Sequence, residues 1–224
     1  MKKDNIFIVI PVYNEGSIVG SVIDEIKKAG YEKIILVDDG SKDNTLEVQE
    51  KEIVFLRHYI NRGKGAATKT GFEAVKLLGA KILVTMDGDG QHDAGDIEKL
   101  VRPIVEEECD VVLGTRKFTV GEVPRIKILY NFVGNFFTWF FYGLWVTDSQ
   151  SGFRAYSKKA IDVIDTKTDR YEYDSEVIRE IKKYNLKFKE IPIKVRYTTY
   201  SKSKASKQGF LNGIKTVFKM LISS

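Results

Sequence analysis

The chain contains 224 residues, 43% of them hydrophobic and 12% aromatic, which is enough for one large domain with a buried core. A formal net charge of +5 indicates an anionic partner, such as nucleic acid, a nucleotide or a membrane surface, without choosing among them. The single cysteine, Cys109, excludes an internal disulfide and fits a reducing compartment. Because an apolar run follows it, we interpret it as core packing rather than as a nucleophile.

Short apolar runs alternate with helical patterns through about residue 116. The run 6–10 predicts a buried strand that stops at Pro11, after which Asn14 is the predicted cap of a helix over about 15–29. A second buried strand is predicted at 33–37 and further strands at 53–56, 81–84 and 110–114. Further helices are predicted from 43 or 44, from 64 to about 78 and over about 96–107. This alternation predicts a parallel α/β sheet with right-handed crossovers.

Polar clusters lie at the ends of the predicted strands, and they read PVYNE, DDGS, NRGKG, DGDGQ and TR. Ligands of such sheets bind beyond the carboxyl ends of the strands, so a shared nucleotide-phosphate site is favoured over independent turns. Lys64, between two glycines at a predicted helix start, is a candidate phosphate contact because free N–H groups and the helix dipole favour an anion there. The full P-loop spacing is missing.

Asp87 and Asp89 form a pair of carboxylates flanked by Gly88 and Gly90. Hard oxygen ligands in this arrangement favour Mg²⁺ or Mn²⁺, ions that complete their shells with water and phosphate oxygens. The glycines allow a bulky anion to approach the backbone. A solvated turn is the alternative interpretation, since Asp-Gly is a common turn dipeptide.

The chain resembles family 2 glycosyltransferases, and within them the polyprenyl-phosphate glycosyltransferases typified by dolichyl-phosphate mannose synthase. The motifs PVYNE, VDDGS, NRGKGAA, DGDGQH, GTR and DSQSGFRAY occur in the family's order and cover nearly the whole chain. The resemblance implies the GT-A fold, a nucleotide-sugar-binding α/β domain with a mostly parallel central sheet.

The resemblance also implies a role for individual residues of the donor site. Contacts with the donor's base and ribose are expected from Pro11, Tyr13, Glu15 and Asp39, and Lys64 is expected near its diphosphate.

The family resemblance implies that Asp87 and Asp89 bind the metal, with Gln91 as a further ligand or orienter. It also implies a catalytic role for Asp89. Gly88 stands where the family usually has alanine. In the segment 195–206, Arg196, Ser203 and Lys204 resemble a part of the family that closes over the donor diphosphate; a mobile solvated loop is the alternative.

The second half supplies the acceptor side. Because guanidinium forks match phosphate oxygens, Arg116, Arg154 and Arg125 are candidates for the acceptor phosphate. A hydroxyl acceptor would instead need a general base, for which Glu172, Asp174 and Glu176 are candidates unless they begin the helix that follows.

An uncharged run of 20 residues, 128–147, is long enough to span a bilayer. We reject a simple span because a single crossing would place PVYNE to GTR and DSQSGFR on opposite sides of the membrane. Its aromatic residues favour one or two interfacial helices within 125–147, with a buried core or oligomer helix as the alternative. A basic amphipathic helix is predicted over 206–224, either on anionic lipid or packed on the domain.

We therefore expect a glycosyltransferase domain at 1–205 that transfers a sugar with inversion, using Mg²⁺ or Mn²⁺, from GDP-mannose or a UDP-hexose to a polyprenyl (dolichyl) phosphate. The expected enzyme is attached peripherally to the cytoplasmic face of a membrane and serves protein glycosylation. A family 2 enzyme with a sugar hydroxyl acceptor is the alternative. Nucleic-acid binding is disfavoured because the lysines are scattered and no base-stacking motif is present.

Overall fold

The computed structural model describes residues 3–47, 53–116, 125–170 and 172–196, with the backbone alone at 46–47 and 125–131. The strands are β1 Ile6–Val12, β2 Ile34–Asp38, β3 Val54–Arg57, β4 Ile82–Thr85, β5 Val111–Arg116, β6 Arg154–Ser157 and β7 Phe188–Ile193. The α-helices are α1 Val19–Lys28, α2 Lys64–Leu77, α3 Ile97–Val105, α4 Arg125–Tyr142, α5 Lys158–Val163 and α6 Glu172–Lys183.

The strands form one sheet in the order β3-β2-β1-β4-β6-β5-β7. Strand β6 runs antiparallel to β4 and β5, and the other pairings are parallel. The prediction of a mostly parallel α/β sheet is confirmed, and the predicted strands are found with their ends one or two residues later. Strands β6 and β7 were not predicted.

Each face of the sheet carries its own hydrophobic core. Ile8 and Ile10 of β1 point into the core beneath α1 and α3, and Val9 points into the core beneath α2 and α6. Such alternation with burial on both faces is typical of a parallel strand covered by helices on each side. Cys109 is buried in the first core, and burial raises the pKa of its thiol to about 11, which agrees with a packing role.

Helix α1 begins later than predicted, and Asn14 does not cap it. Asn14 adopts a left-handed conformation with φ of 55°, and its side-chain oxygen accepts a hydrogen bond from Lys42 N at 2.8 Å. Gly16 N in turn donates to Asp43 at 3.0 Å. These contacts tie the PVYNE turn to the loop after β2, so the helix starts only once the chain has left that loop.

The parallel strands β1, β2, β4 and β5 end at the same edge of the sheet, and the antiparallel strand β6 begins there. We call this edge the carboxyl edge. It gathers the turns after Val12, Asp38 and Thr85 with the end of β5 at Arg116, and it also receives the segment that leads into Arg154. The clusters found in the sequence therefore lie together.

Candidate active site

Asp87 lies at the centre of a charged cluster on the carboxyl edge. Its Oδ1 is 2.8 Å from Nζ of Lys64, and its Oδ2 is 3.4 Å from Nε2 of His92. Lys64 also lies 3.5 Å from Oδ2 of Asp174, which belongs to α6. The lysine predicted to contact phosphate is thus shared between two carboxylates, one predicted from the motif and one supplied from far along the chain.

The electrostatics of this cluster hold both groups in their charged forms. Burial alone would lower the pKa of Lys64, but the charges of Asp174 and Asp87 outweigh it and raise that pKa. Burial would likewise raise the pKa of Asp87, yet the charge of Lys64 and the contact with His92 bring it well below its usual range. The ammonium of Lys64 and the carboxylate of Asp87 therefore face each other as a charged pair.

Asp89 has a separate set of contacts. Its two carboxylate oxygens accept hydrogen bonds from the backbone N of Gln91 at 3.1 Å and from Nε2 of Gln91 at 2.6 Å. Gly88 packs so closely on β1 that a Cβ there would collide with the side chain of Val12. This contact explains why the chain has glycine where the resemblance implied alanine.

The segment 148–152 lies over Asp87. Thr85, the last residue of β4, donates from Oγ1 to the carbonyl of Gly152 at 2.8 Å. A Cβ on Gly152 would lie 2.8 Å from Oδ1 and 3.0 Å from Oδ2 of Asp87, and it would collide with Nζ of Lys64. Gly152 belongs to the DSQSGFRAY motif, but nothing in the sequence indicates its contact with Asp87.

Replacing Gly152 with alanine is expected to displace Lys64 and Asp87 and to weaken nucleotide binding by about tenfold, because each 1.4 kcal/mol of lost contact costs that factor. The fold should persist, since φ at Gly152 is not positive. Isothermal titration with UDP and GDP measures the loss. Gly134→Ala is the control, because its Cβ would meet no atom within 4 Å; equal binding by Gly152→Ala and the wild type would contradict the assignment.

Arg116 ends β5 and forms a forked pair with Asp148. Its Nε and Nη2 each lie 2.7 Å from a carboxylate oxygen of Asp148, and its backbone N donates to the same carboxylate at 3.0 Å. Asp148 is 1% exposed, whereas the side chain of Arg116 is 30% exposed. The pair holds the guanidinium at the carboxyl edge with part of its surface open to solvent.

Arg154 has a different setting from the predicted one. Its side chain is 1% exposed and donates to the carbonyls of Ser151 at 2.8 Å, Ser149 at 2.7 Å and Asp174 at 3.0 Å. It also lines the pocket that contains Lys64 and Asp87. Its contacts with the carbonyls hold the segment 148–152 against α6, and acceptor binding by Arg154 stays a prediction.

The residues predicted for the donor's base and ribose are only partly exposed. Tyr13 is 39% exposed, and Pro11 lines the same pocket as Lys64 and Asp87, which leaves both available to a ligand. Glu15 is 3% exposed and its backbone N donates to Thr45. The side chain of Glu15 is therefore buried beneath the PVYNE turn and presents little surface to a ligand.

Asp39 is also buried, at 2% exposed. Its carboxylate accepts hydrogen bonds from the backbone N–H groups of Arg62 at 3.0 Å and Gly63 at 2.6 Å, and it contacts Nδ1 of His58 at 2.7 Å. These bonds hold the turn that presents Lys64 at the start of α2. The contact with His58 was not foreseen, because the sequence gives no sign that the residue after β3 meets the end of β2.

Arg196 is brought beside the metal motif by its backbone, whose N donates to the carbonyl of Gln91 at 2.8 Å. Its guanidinium points elsewhere, with Nη1 2.8 Å from each carboxylate oxygen of Glu25 and Nη2 3.3 Å from Asp93. The predicted residues Ser203 and Lys204, the helix 206–224 and the side chain of Arg125 lie outside the described residues.

The three candidate bases, Glu172, Asp174 and Glu176, all lie on α6. Glu176 accepts hydrogen bonds from the backbone N and Oγ1 of Thr168 and pairs with Arg179. Burial would raise the pKa of Glu176, but these contacts lower it. Asp174 faces Lys64 and, at 3.8 Å, Arg154, so its contacts are those of a counter-ion. Glu172 is buried in the first turn of α6.

Helix α4 exposes aromatic side chains and buries polar ones. Among the described side chains of α4, the exposed ones are Phe132, Val133, Phe136, Trp139 and Phe140, and the nearby Trp145 is exposed as well. Asn135 and Thr138 are buried instead, at 4% and 0% exposed. In the described part of the chain, no helix combines the length and apolar character that crossing a bilayer requires. We call the exposed set the aromatic face.

A family model described as glycosyl transferase family 2 matches residues 7–165. Together with the carboxyl-edge site, this match shows that the chain belongs to glycosyltransferase family 2 and is a glycosyltransferase.

Among curated relatives, the UDP-N-acetylglucosamine–dolichyl-phosphate N-acetylglucosaminyltransferase of Methanococcus voltae is 35% identical over 97% of this chain and 95% of its own. A polyprenol monophosphomannose synthase of Mycolicibacterium smegmatis is 29% identical over 70% of this chain and 63% of its own. An uncharacterized protein of Methanocaldococcus jannaschii is 43% identical over 99% of this chain and 93% of its own.

Solved structures confirm the GT-A fold. Glucosyl-3-phosphoglycerate synthase of Mycobacterium tuberculosis, in complex with Mn²⁺, UDP and phosphoglyceric acid, aligns with a TM-score of 0.65 at 16% identity over 95% of this chain and 78% of its own. Mannosyl-3-phosphoglycerate synthase of Rubrobacter xylanophilus aligns with a TM-score of 0.62 at 14% identity over 98% of this chain and 75% of its own.

Proposed function

We propose that this enzyme transfers a sugar from a nucleotide-sugar donor to a polyprenyl (dolichyl) phosphate, with inversion and with Mg²⁺ or Mn²⁺. The proposal rests mainly on the contacts of the segment 148–152, which touches both the Asp87–Lys64 cluster and Arg116. Gly152 packs on Asp87 and Lys64, and Asp148 holds Arg116. One segment thus aligns a cluster suited to the donor diphosphate with a guanidinium suited to a second phosphate.

The side-chain oxygens of Asp87, Asp89 and Gln91 fit a hard divalent ion whose coordination shell is completed by the nucleotide. Within the described part of the chain, no group of three or more His, Cys, Asp or Glu side chains is arranged to hold a metal. Asp87 and Asp89 with the Gln91 amide would instead hold Mg²⁺ or Mn²⁺ together with diphosphate oxygens, the usual mode for such ions. When bound, the ion neutralises charge on the leaving diphosphate. Lys64 would then contact the same diphosphate.

In the proposed reaction, an oxygen of the lipid phosphate attacks the anomeric carbon of the sugar as the bond from that carbon to the nucleoside diphosphate breaks. A phosphate monoester with a second pKa of about 6 is largely ionised at neutral pH, so no base has to remove a proton. Arg116 orients the attacking phosphate, and Lys64 stabilises the departing diphosphate. A mechanism without a general base agrees with the contacts of the candidate bases, because Glu176 pairs with Arg179 and Asp174 is a counter-ion of Lys64.

The Methanococcus voltae relative makes UDP-N-acetylglucosamine the first donor to test. A thermal-shift panel of UDP- and GDP-sugars, each with Mg²⁺, Mn²⁺ or EDTA, should show stabilisation by one nucleotide class only when metal is present, since a ligand that binds the native state raises Tm. Label from that donor should then enter an organic-extractable lipid that mild acid cleaves. Label confined to water-soluble glycan would contradict the proposal and favour a hydroxyl acceptor.

The aromatic face of α4 is proposed as the membrane contact, which brings the carboxyl edge to the lipid phosphate. Trp and Phe side chains suit the interface between headgroups and acyl chains, and their exposure here beside buried Asn135 and Thr138 reverses the polarity of an ordinary surface helix. We further propose that 1–205 is the catalytic domain and that 206–224 adds a second, basic contact.

Changing Phe136, Trp139 and Phe140 together to serine is expected to reduce flotation with anionic vesicles strongly, because about 25 cal/mol is lost per Å² of apolar area that no longer inserts. UDP or GDP binding should be unchanged. A chain shortened to 1–205 should float less than the full chain and more than the triple variant. Leu77→Ser, which alters an exposed leucine of α2, is the control; full flotation by the triple variant would contradict this docking mode.

A further inference from the structure

Asn135 makes a two-sided contact with the segment that follows α4. Its Nδ2 donates to the carbonyl of Thr147 at 2.6 Å, and its Oδ1 accepts from the backbone N of Ser149 at 2.9 Å. The side chain is 4% exposed, although Phe136 next to it is 40% exposed. A single carboxamide therefore fixes the peptide groups on both sides of Asp148.

Asp148 passes this constraint to Arg116. Its carboxylate accepts three hydrogen bonds from Arg116, two from the guanidinium and one from the backbone, and almost none of it reaches solvent. A buried forked pair has little freedom, so the position of the Asp148 backbone determines where the Arg116 guanidinium lies. The sequence of contacts runs from Asn135 through Asp148 to Arg116.

The segment has other supports, which hold different atoms. Glu190 accepts hydrogen bonds from the backbone N and Oγ1 of Thr147 at 2.7 and 2.8 Å, and Arg154 donates to the carbonyl of Ser149. These contacts tie the segment to β7 and β6. Asn135 ties it to α4, so the location of Arg116 is set relative to the helix that carries the aromatic face.

We infer that Asn135 is a positioning residue for the acceptor phosphate, acting through Asp148 on Arg116. The inference rests on the proposed function, in which Arg116 binds that phosphate. It implies that the Arg116 guanidinium is held at a fixed position relative to α4, so the depth of α4 in the lipid surface sets the depth of the guanidinium. A lipid phosphate carried at headgroup depth then meets Arg116 without a separate adjustment of the segment.

The test compares Asn135→Leu, Arg116→Ala and the double variant in transfer of sugar to polyprenyl phosphate. Asn135→Leu should raise KM for the lipid phosphate by about ten- to a hundredfold, the effect expected of a reacting group misplaced by about 1 Å. Its Kd for the donor nucleotide should stay within about twofold of wild type, and the double variant should be no worse than Arg116→Ala, because effects that act through one residue do not add.

Thr138→Val is the matched control. Thr138 lies on the same buried side of α4, is 0% exposed and lies 3.2 Å from Oγ of Ser175, but it does not flank Asp148. It should leave KM for the lipid phosphate unchanged. Equal KM increases in Thr138→Val and Asn135→Leu, or additive effects in the double variant, would overturn the inference. If the wild type transfers sugar to lipid phosphate and Asn135→Leu has the same KM, only the inference about Asn135 is overturned. If the wild type does not transfer sugar to lipid phosphate, the proposed function is overturned as well.

Discussion

Asp87→Asn is expected to lower kcat/KM by about a hundred- to a thousandfold, the range measured when one preorganised electrostatic contact to a developing charge is removed. The variant loses the charge that faces Lys64 at 2.8 Å and one of the two carboxylates proposed for the divalent ion. Lys64 retains Asp174 at 3.5 Å, so the lysine is not left buried without a counter-ion. The loss should therefore appear in catalysis and metal dependence much more than in stability.

Asp110→Asn is the control for this substitution. Asp110 also pairs with a lysine, Lys159 at 3.0 Å, and accepts a hydrogen bond from Lys187 N at 2.9 Å, but it precedes β5 at the opposite edge of the sheet. Initial rates over a metal titration should separate the two variants. Loss of activity in both to the same extent, or in neither, would remove Asp87 from the donor site.

Arg116→Ala should lower kcat/KM for polyprenyl phosphate by about a hundredfold, since a forked contact with a phosphate is lost. Its Kd for the donor nucleotide should change little, because Lys64 and Asp87 hold the donor. The substitution also leaves Asp148 buried without its guanidinium, which costs about 3–5 kcal/mol for a buried pair and should lower Tm. The variant Arg116→Ala/Asp148→Asn removes that unpaired charge.

The double variant should therefore recover Tm without recovering activity. Arg179→Ala is the control, because Arg179 has a similar exposure, 32% against 30% for Arg116, and pairs with carboxylates within α6. If Arg116→Ala/Asp148→Asn regained wild-type transfer, the loss in the single variant would have come from the buried charge, and Arg116 would have no role with the acceptor.

The sequence was most informative where the pattern is local. Apolar runs predicted β1 to β5, and β1, β2, β4 and β5 are the buried strands that need consecutive apolar residues. Strand β3, at the edge of the sheet, is only partly buried. Strand β6 was missed because it is only 4 residues long and begins with the charged residue Arg154. The charge of Arg154 is accommodated by carbonyls of Ser149, Ser151 and Asp174, which no local pattern reveals.

The sequence motifs identified individual residues of the candidate site, but they did not show which residues contact one another. Asp87, Lys64 and Arg116 were each identified from residue type and from their place at a strand or helix end. Their partners Asp174 and Asp148 come from distant segments, and only the fold shows that a carboxylate of α6 meets Lys64. Side chains that link segments, such as Asn135, have no spacing that distinguishes them from ordinary helix residues.

The most direct measurement of the central claim compares two acceptors with the same hydrocarbon tail, polyprenyl phosphate and the corresponding polyprenol. Purified enzyme, labelled nucleotide sugar, metal and vesicles carrying one or the other acceptor would be assayed for label in the organic phase. Transfer to the phosphate, none to the alcohol, and loss of that transfer in Arg116→Ala is the predicted result. Transfer to the alcohol at a comparable rate would contradict a phosphate acceptor and point to a base-dependent hydroxyl acceptor.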